Sequence, residues 1–184
     1  MKYNFGCGSK HMEGWVNVDK YSAVSPDLIM DMESFPWPVP SDSVEEMLFS
    51  HVLEHVGQDT DTFLNIMKEI YRIGSNGCVV RVYVPHPRHD FFLIDPTHVR
   101  AILPETLEMF DKKKNLEWMA RQSAKTPLGV FINVDFELVA TELVPEPSVL
   151  GNQTRVDEKV LHTIRTQNNA IQEIKMTLRV RKDN

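Results

Sequence analysis

The chain has 184 residues, with 26 acidic against 20 basic side chains, a net charge of −6 and 42% hydrophobic residues. That length buries a core without covalent staples and predicts one domain over residues 1–184. The acidic balance disfavours a nucleic-acid partner, two cysteines make neither a disulfide framework nor a zinc motif, and no apolar stretch has the length of a bilayer span. These features predict a soluble, cytoplasmic protein with no membrane partner, and they leave a homo-oligomer open.

In chain order, Lys2–Phe5 reads as a short strand running into Gly6-Cys7-Gly8, a turn whose glycines let bare backbone approach a ligand. Trp15–Asp19 reads as a second strand that ends on a carboxylate. At the carboxyl ends of adjacent parallel strands, Gly6 to Gly8 and Asp19 would line one crevice from two sides, with Asp19 placed to accept from ribose hydroxyls. The alternative is an ordinary glycine turn beside a surface aspartate. Ser9 to Gly14 is short for a parallel crossover, so any first helix there is one turn at most.

Asp27–Asp31 predicts a third short strand ending on a carboxylate. Phe35 to Pro40 carries three prolines that forbid regular structure, and Phe35 and Trp37 either wall a pocket or pack on the sheet edge. Ser43–Ser50 reads as a fourth strand running into His51-Val52-Leu53-Glu54-His55. The apolar spacing of Phe63, Ile66, Met67, Ile70 and Tyr71 predicts a helix over 61–73, capped by Thr60 or Asp61. Asn76-Gly77 then predicts a turn, and Cys78–Val84 a buried fifth strand.

The Pro-rich loop 86–98 holds His86, His89, Asp90, Asp95 and His98, and Pro104–Phe110 predicts a short helix. Asp135–Val144 and Ile171–Val180 alternate as sixth and seventh strands. The stretch after Pro147 reads as a polar connection without a strong helix, which suggests an antiparallel edge pair. The whole predicts an α/β fold: a doubly wound, mostly parallel seven-stranded sheet with an antiparallel C-terminal strand.

The Gly-Cys-Gly turn, Gly14-Trp15-Val16-Asn17-Val18-Asp19 and His51-Val52-Leu53-Glu54-His55, in this order, resemble the small single-domain class I S-adenosylmethionine-dependent methyltransferases, over roughly Tyr3 to Phe110. The resemblance implies S-adenosylmethionine as cofactor. It assigns Phe5, Gly6, Cys7 and Gly8 to the methionine end, Asp19 to the ribose, and Asp31 with the Met32 backbone to the adenine. Ser50 and His51 fall where the family lines the path to the acceptor, and loop 86–98 where it shapes the acceptor pocket. Asn4 stands in place of the family's usual acidic residue, and Lys10 in place of a third glycine.

Methyl transfer needs position more than acid–base chemistry, because the cofactor carries the activation. Should a base act, His51, His86, His89 and His98 are the candidates, since imidazole titrates near neutrality. A purely structural alternative has His55 capping a helix and His89 and His98 on the loop surface. The expected acceptor is a small molecule or a sugar-like compound.

Three rival readings compete with methyl transfer. His86, His89, Asp90 and His98 are metal-ligand types whose spacing matches no standard set, so no metal is expected. A dinucleotide-dependent oxidoreductase lacks its third glycine, since position 11 is His11, and its carboxylate ~20 residues on. A non-catalytic, Rossmann-like module binding S-adenosylmethionine or a nucleotide is the remaining alternative.

Overall fold

The computed structural model describes residues 1–150 and 158–182. Seven strands form one sheet in the order β3-β2-β1-β4-β5-β7-β6. β1 (Lys2–Phe5), β2 (Val16–Asp19), β3 (Leu28–Ile29), β4 (Val44–Ser50) and β5 (Gly74–Pro85) run parallel to one another. β7 (Ile171–Val180) lies antiparallel between β5 and β6 (Phe136–Pro145). The expected α/β fold, mostly parallel with an antiparallel C-terminal strand, is therefore the observed one.

α1 (Thr60–Ile73) is capped by Asp59, whose carboxylate accepts from the Thr62 N–H at 2.9 Å, one residue earlier than the sequence suggested. Its buried stripe, Phe63, Ile66, Met67, Ile70 and Ile73, packs into the core with Phe5, Met47, Phe49, Val80, Val82 and Met176 from one face of the sheet. Between β5 and β6 come α2 (Asp90–Leu93), α3 (Pro104–Glu108), α4 (Lys112–Ala120) and α5 (Leu128–Phe131). α6 (Pro147–Leu150) and α7 (Glu158–Thr166) precede β7.

Two local expectations change. Asn76-Gly77 makes no break: both residues lie within β5, in a stretch where pairing with β4 shifts register between Val44 and Glu46, and Gly77 takes φ +85°. Such a shift lets the strand absorb extra residues without ending. The polar connection expected after Pro147 is helical at α6 and α7 in its described part, while residues 151–157 lie outside the described residues. Repeated polar residues hid α7, whose apolar positions Val160, Leu161 and Ile164 keep only a narrow helical spacing.

The winding is unequal. No α-helix occupies the crossovers β1–β2, β2–β3 or β3–β4. The opposite face of the sheet accordingly carries polar and half-exposed side chains. There Glu46 pairs with both Lys2 and Arg81, and Lys175 lies 3.6 Å from Glu173.

A polar network replaces the missing first helix. Asn4 Nδ2 donates to Lys10 O at 3.0 Å and to Asn17 Oδ1 at 3.1 Å. Asn17 Oδ1 also accepts from Met12 N–H at 2.8 Å, and Asn17 Nδ2 donates to Asp27 Oδ2 at 2.9 Å, which accepts from Asn17 N–H as well. Asn4 and Asn17 are both buried, so these bonds hold loop 6–15 against the sheet where a helix would otherwise pack.

The proline segment is held from α1. Trp37 is buried against Phe5, with ring centroids 5.3 Å apart, and Phe5 stacks on Phe49 at 4.7 Å. The Trp37 N–H donates to Glu69 Oε2 at 2.7 Å, and Arg72 donates to both Glu69 oxygens, to Trp37 O and to Val39 O. Of the two readings for this segment, packing holds for Trp37.

Replacing Asn17 with alanine strips partners from Asn4, Met12 and Asp27 together, and is expected to cost about 2–4 kcal/mol in urea unfolding. Burial alone would raise the Glu69 pKa, but the Arg72 guanidinium and the Trp37 N–H outweigh it and hold it below its ordinary 4.5. The stabilisation from Glu69 is therefore complete above pH 4.5 and fades as pH falls further. Glu69→Gln is expected to lose about 1–3 kcal/mol at neutral pH and to flatten the acid limb of a stability-versus-pH curve.

Candidate functional site

Three pockets adjoin at the carboxyl ends of β1, β2 and β4. The first is lined by Gly6, Asp19, Tyr21, Asp31, Met32, Glu33 and Val52, the second by Pro85, Phe91, Ile94, Asp95 and His98. The third lies behind the glycine turn, among Asn4, Cys7, Gly8, Lys10, Met12, Leu48 and Ser50. His51 borders all three, and His55 borders the first two.

The glycine turn is fixed by contact. Gly6 takes φ +62°, and a Cβ there would meet Val52 Cγ2 at 2.5 Å. Gly8, at φ +48°, has nothing within 4 Å of a Cβ position, which leaves its backbone open to a ligand. The Gly8 N–H donates to Asp19 Oδ2 at 2.9 Å and the Tyr21 N–H to Asp19 Oδ1 at 3.0 Å. Each carboxylate oxygen thus keeps a lone pair for a further donor, as a vicinal diol requires.

Asp31 Oδ1 accepts from the Glu33 N–H at 2.9 Å, while Oδ2 has no partner among the described residues. Trp37 Nε1 donates to Met32 O at 3.0 Å and fixes that peptide at the pocket edge. The buried packing of Trp37 therefore positions Met32. On chemistry and placement, Asp19, Asp31 and the Met32 backbone fit an adenosine group.

Cys7 is buried beside the turn, and burial followed by the charge of Asp19 raises its thiol pKa. Ser50 is half-buried at the end of β4. Phe5 departs from expectation. Its side chain is fully buried in the aromatic stack and lines none of the three pockets, because strand alternation turns it into the core on the face opposite Asn4.

His51 follows β4 at φ +56°. Its Nδ1 lies 3.4 Å from Glu54 Oε1 and its Nε2 2.9 Å from Glu173 Oε1 on β7. Glu54 first, with Glu173 adding, raises the His51 pKa above that of ordinary imidazole against the opposing effect of burial. Both ring nitrogens already face carboxylates, so His51 has no free nitrogen with which to take a proton from an acceptor in this arrangement.

The loop histidines separate. His98 lines the second pocket, with Nδ1 2.8 Å from Phe92 O. His86 and His89 line none of the three. His86 Nδ1 accepts from the Arg88 N–H at 3.1 Å, and burial with nearby Arg88 lowers its pKa. His89 is buried, accepts from the Phe91 N–H at 3.1 Å and lies 3.2 Å from Glu146. It ties the loop to the segment after β6 and is no surface residue. Nor does His55 cap a helix: its Nδ1 lies 2.8 Å from Thr97 Oγ1.

The sequence reading missed Tyr21, Glu33, Glu54 and His55 as site residues. Only the last two carried a signal, their place in the His51–His55 run. No helix among the described residues is long and apolar enough to cross a membrane.

No family model matches the chain, and no curated protein matches it in sequence. Solved structures match in fold. A "SAM dependent methyltransferase" of Archaeoglobus fulgidus is 17% identical at a TM-score of 0.62, over 97% of this chain and 85% of its own. A "SAM-dependent methyltransferase, possible histamine N-methyltransferase" of Thermotoga maritima is 14% identical at 0.56, over 98% and 81%. The [4+2]-cyclase SpnF is 14% identical at 0.55, over 99% and 75%. The chain is thus similar in fold to proteins described as S-adenosylmethionine-dependent methyltransferases and to one described as a [4+2]-cyclase.

Proposed function

We propose that this protein transfers a methyl group from S-adenosylmethionine to a small-molecule or sugar-like acceptor. The observation that carries the reading is the convergence of Asp19, Asp31 and the Gly6 backbone on one pocket at three strand ends. The fold similarity to S-adenosylmethionine-dependent methyltransferases supports it.

In this reading Asp19 accepts from both ribose hydroxyls. Asp31 Oδ2 accepts from the adenine amine while the Met32 N–H, without a partner among the described residues, donates to the ring. Loop 6–8 holds the amino-acid end in the third pocket. Asn4 lines that pocket too; its amide nitrogen is engaged by Lys10 O and Asn17 Oδ1, which leaves its Oδ1 as the atom able to accept from an ammonium there. The acceptor enters from the second pocket, between His51 and His98.

The cofactor supplies a methyl carbon already activated on a sulfonium. The sulfur–methyl bond breaks as the acceptor–methyl bond forms, and sulfur keeps the electron pair as a neutral thioether. The proton of a hydroxyl acceptor would pass to solvent at the mouth of the second pocket. The chain contributes alignment and exclusion of water, through Val52 and Val56 on one side and Phe91 and Ile94 on the other.

Calorimetric titration with S-adenosylmethionine, S-adenosylhomocysteine and NAD separates the readings. Saturable binding of the first two without NAD is expected, and binding of none, or of NAD alone, overturns the proposal. Asp19→Ala is expected to weaken S-adenosylhomocysteine binding by about 1–3 kcal/mol. Unchanged affinity in that variant would place the ribose elsewhere. Tight cofactor binding with no methyl loss across a panel of hydroxyl, amine and thiol acceptors would favour the non-catalytic module.

A further inference from the structure

Glu54 is fully buried in the turn after β4, and neither carboxylate oxygen makes a hydrogen bond. An ionised carboxylate in that position carries a large desolvation cost unless a cation answers it. His51 Nδ1 approaches one oxygen at 3.4 Å without hydrogen-bond alignment. His55 and His98 stand beside it, their rings 4.5 Å apart, and one ligand atom from each of Glu54, His55 and His98 lies within 4.8 Å of the others.

The outer contacts set the tautomers of both histidines. Phe92 O can only accept, so His98 Nδ1 carries the proton in that 2.8 Å contact. Thr97 Oγ1 donates to Asp95 Oδ1 at 2.6 Å and therefore accepts from His55 Nδ1 at 2.8 Å. Each neutral imidazole then presents a bare Nε2. A backbone carbonyl or an oriented hydroxyl on the far nitrogen is the usual support of a metal-ligating histidine. The His98 Nε2 makes no hydrogen bond among the described residues; Asp95 Oδ2 lies 3.9 Å from it, beyond hydrogen-bond reach.

The backbone assembles the set. Glu54 O accepts from the Val99 N–H at 2.8 Å and from the Arg100 N–H at 3.3 Å, which clamps the end of loop 86–98 onto the turn after β4. Ligands separated by more than forty positions are thereby held together by main-chain bonds, with the His55–Thr97 side-chain contact beside them.

We propose that Glu54, His55 and His98 bind a divalent transition-metal cation at the border of the first and second pockets. Two imidazoles and one carboxylate suit zinc, manganese, cobalt or iron(II), whereas magnesium and calcium prefer oxygen throughout. Tetrahedral ligands at ~2.1 Å from an ion stand about 3.4 Å apart, so from separations within 4.8 Å each ligand atom closes inward by up to about 0.8 Å, within reach of side-chain torsions. Three protein ligands leave positions open toward the second pocket. Resting on the methyl-transfer reading, that places an oxygen-bearing acceptor, a hydroxyl or carboxylate compound, on the ion beside the cofactor. The sequence spacing had pointed away from a metal because it grouped His98 with His86, His89 and Asp90 rather than with Glu54 and His55.

The test uses metal-stripped protein without cofactor, so its outcome is independent of S-adenosylmethionine binding. Zinc, manganese and cobalt(II) are titrated by calorimetry, with magnesium alongside, and the cobalt form is read by its visible absorption. One ion per chain is expected, with ligand-field bands that report nitrogen coordination and no comparable affinity for magnesium. His55→Ala and His98→Ala are each expected to weaken binding by more than about 100-fold, the upper range for loss of a merely supporting partner. His162→Ala, at an exposed position on α7, is expected to leave it unchanged. Circular dichroism confirms that each variant folds, and Glu54→Gln serves if either histidine variant does not. Absence of stoichiometric binding, or equal binding in wild type and the ligand variants, overturns the site.

Discussion

The structure depends on the side chain of Asn17. Parallel neighbours normally need a crossover long enough to hold a helix, and here loop 6–15 joins β1 to β2 with turns alone. Asn17 makes this possible by offering both ends of its amide to the loop while Asp27 answers its own backbone. The glycine turn is a part of that same loop, so the geometry of Gly6 and Gly8 is inherited from a buried amide network rather than from a packed helix. Asn4 belongs to the network too, which explains in physical terms why an amide stands there instead of a carboxylate: its donor group has two acceptors to satisfy.

Much of this was legible in the sequence because it was local. Alternation and short apolar runs located the strands, and carboxylates on the last residue of β2 and just past β3 located one pocket wall. Trp37 was ambiguous because an aromatic between prolines gives no periodicity; its inward orientation follows from Glu69 and Arg72, two residues on a helix more than thirty positions away. His89 and His98 share one loop and one residue type, yet one is tied to Glu146 and the other faces a pocket. That division depends on where β6 and β4 end in space, which no spacing within the loop encodes. Glu54 was passed over for a related reason, since an acidic residue beside a histidine in a turn ordinarily reads as exposed.

The histidines and acids at the junction form a graded arrangement. His51 lies between Glu54 and Glu173, held by two carboxylates, while His55 and His98 keep one nitrogen each occupied by neutral oxygens. The two carboxylates favour the protonated ring at His51, and the neutral acceptors fix which nitrogen of His55 and of His98 carries a proton. Three imidazoles within one junction are thus prepared for different roles by their partners, although the sequence presents them as equivalent.

The strand order has a consequence for how the chain reaches its folded state. β6 pairs with β7 alone, and β7 lies between it and β5, so β6 and one edge of β5 have no partner until Ile171–Val180 is in place. Before that insertion the protein exposes two unprotected hydrogen-bonding edges, the kind that join other chains as readily as their own. Closure of the sheet is therefore a late, non-local event, and the interval before it is the period in which self-association competes with folding.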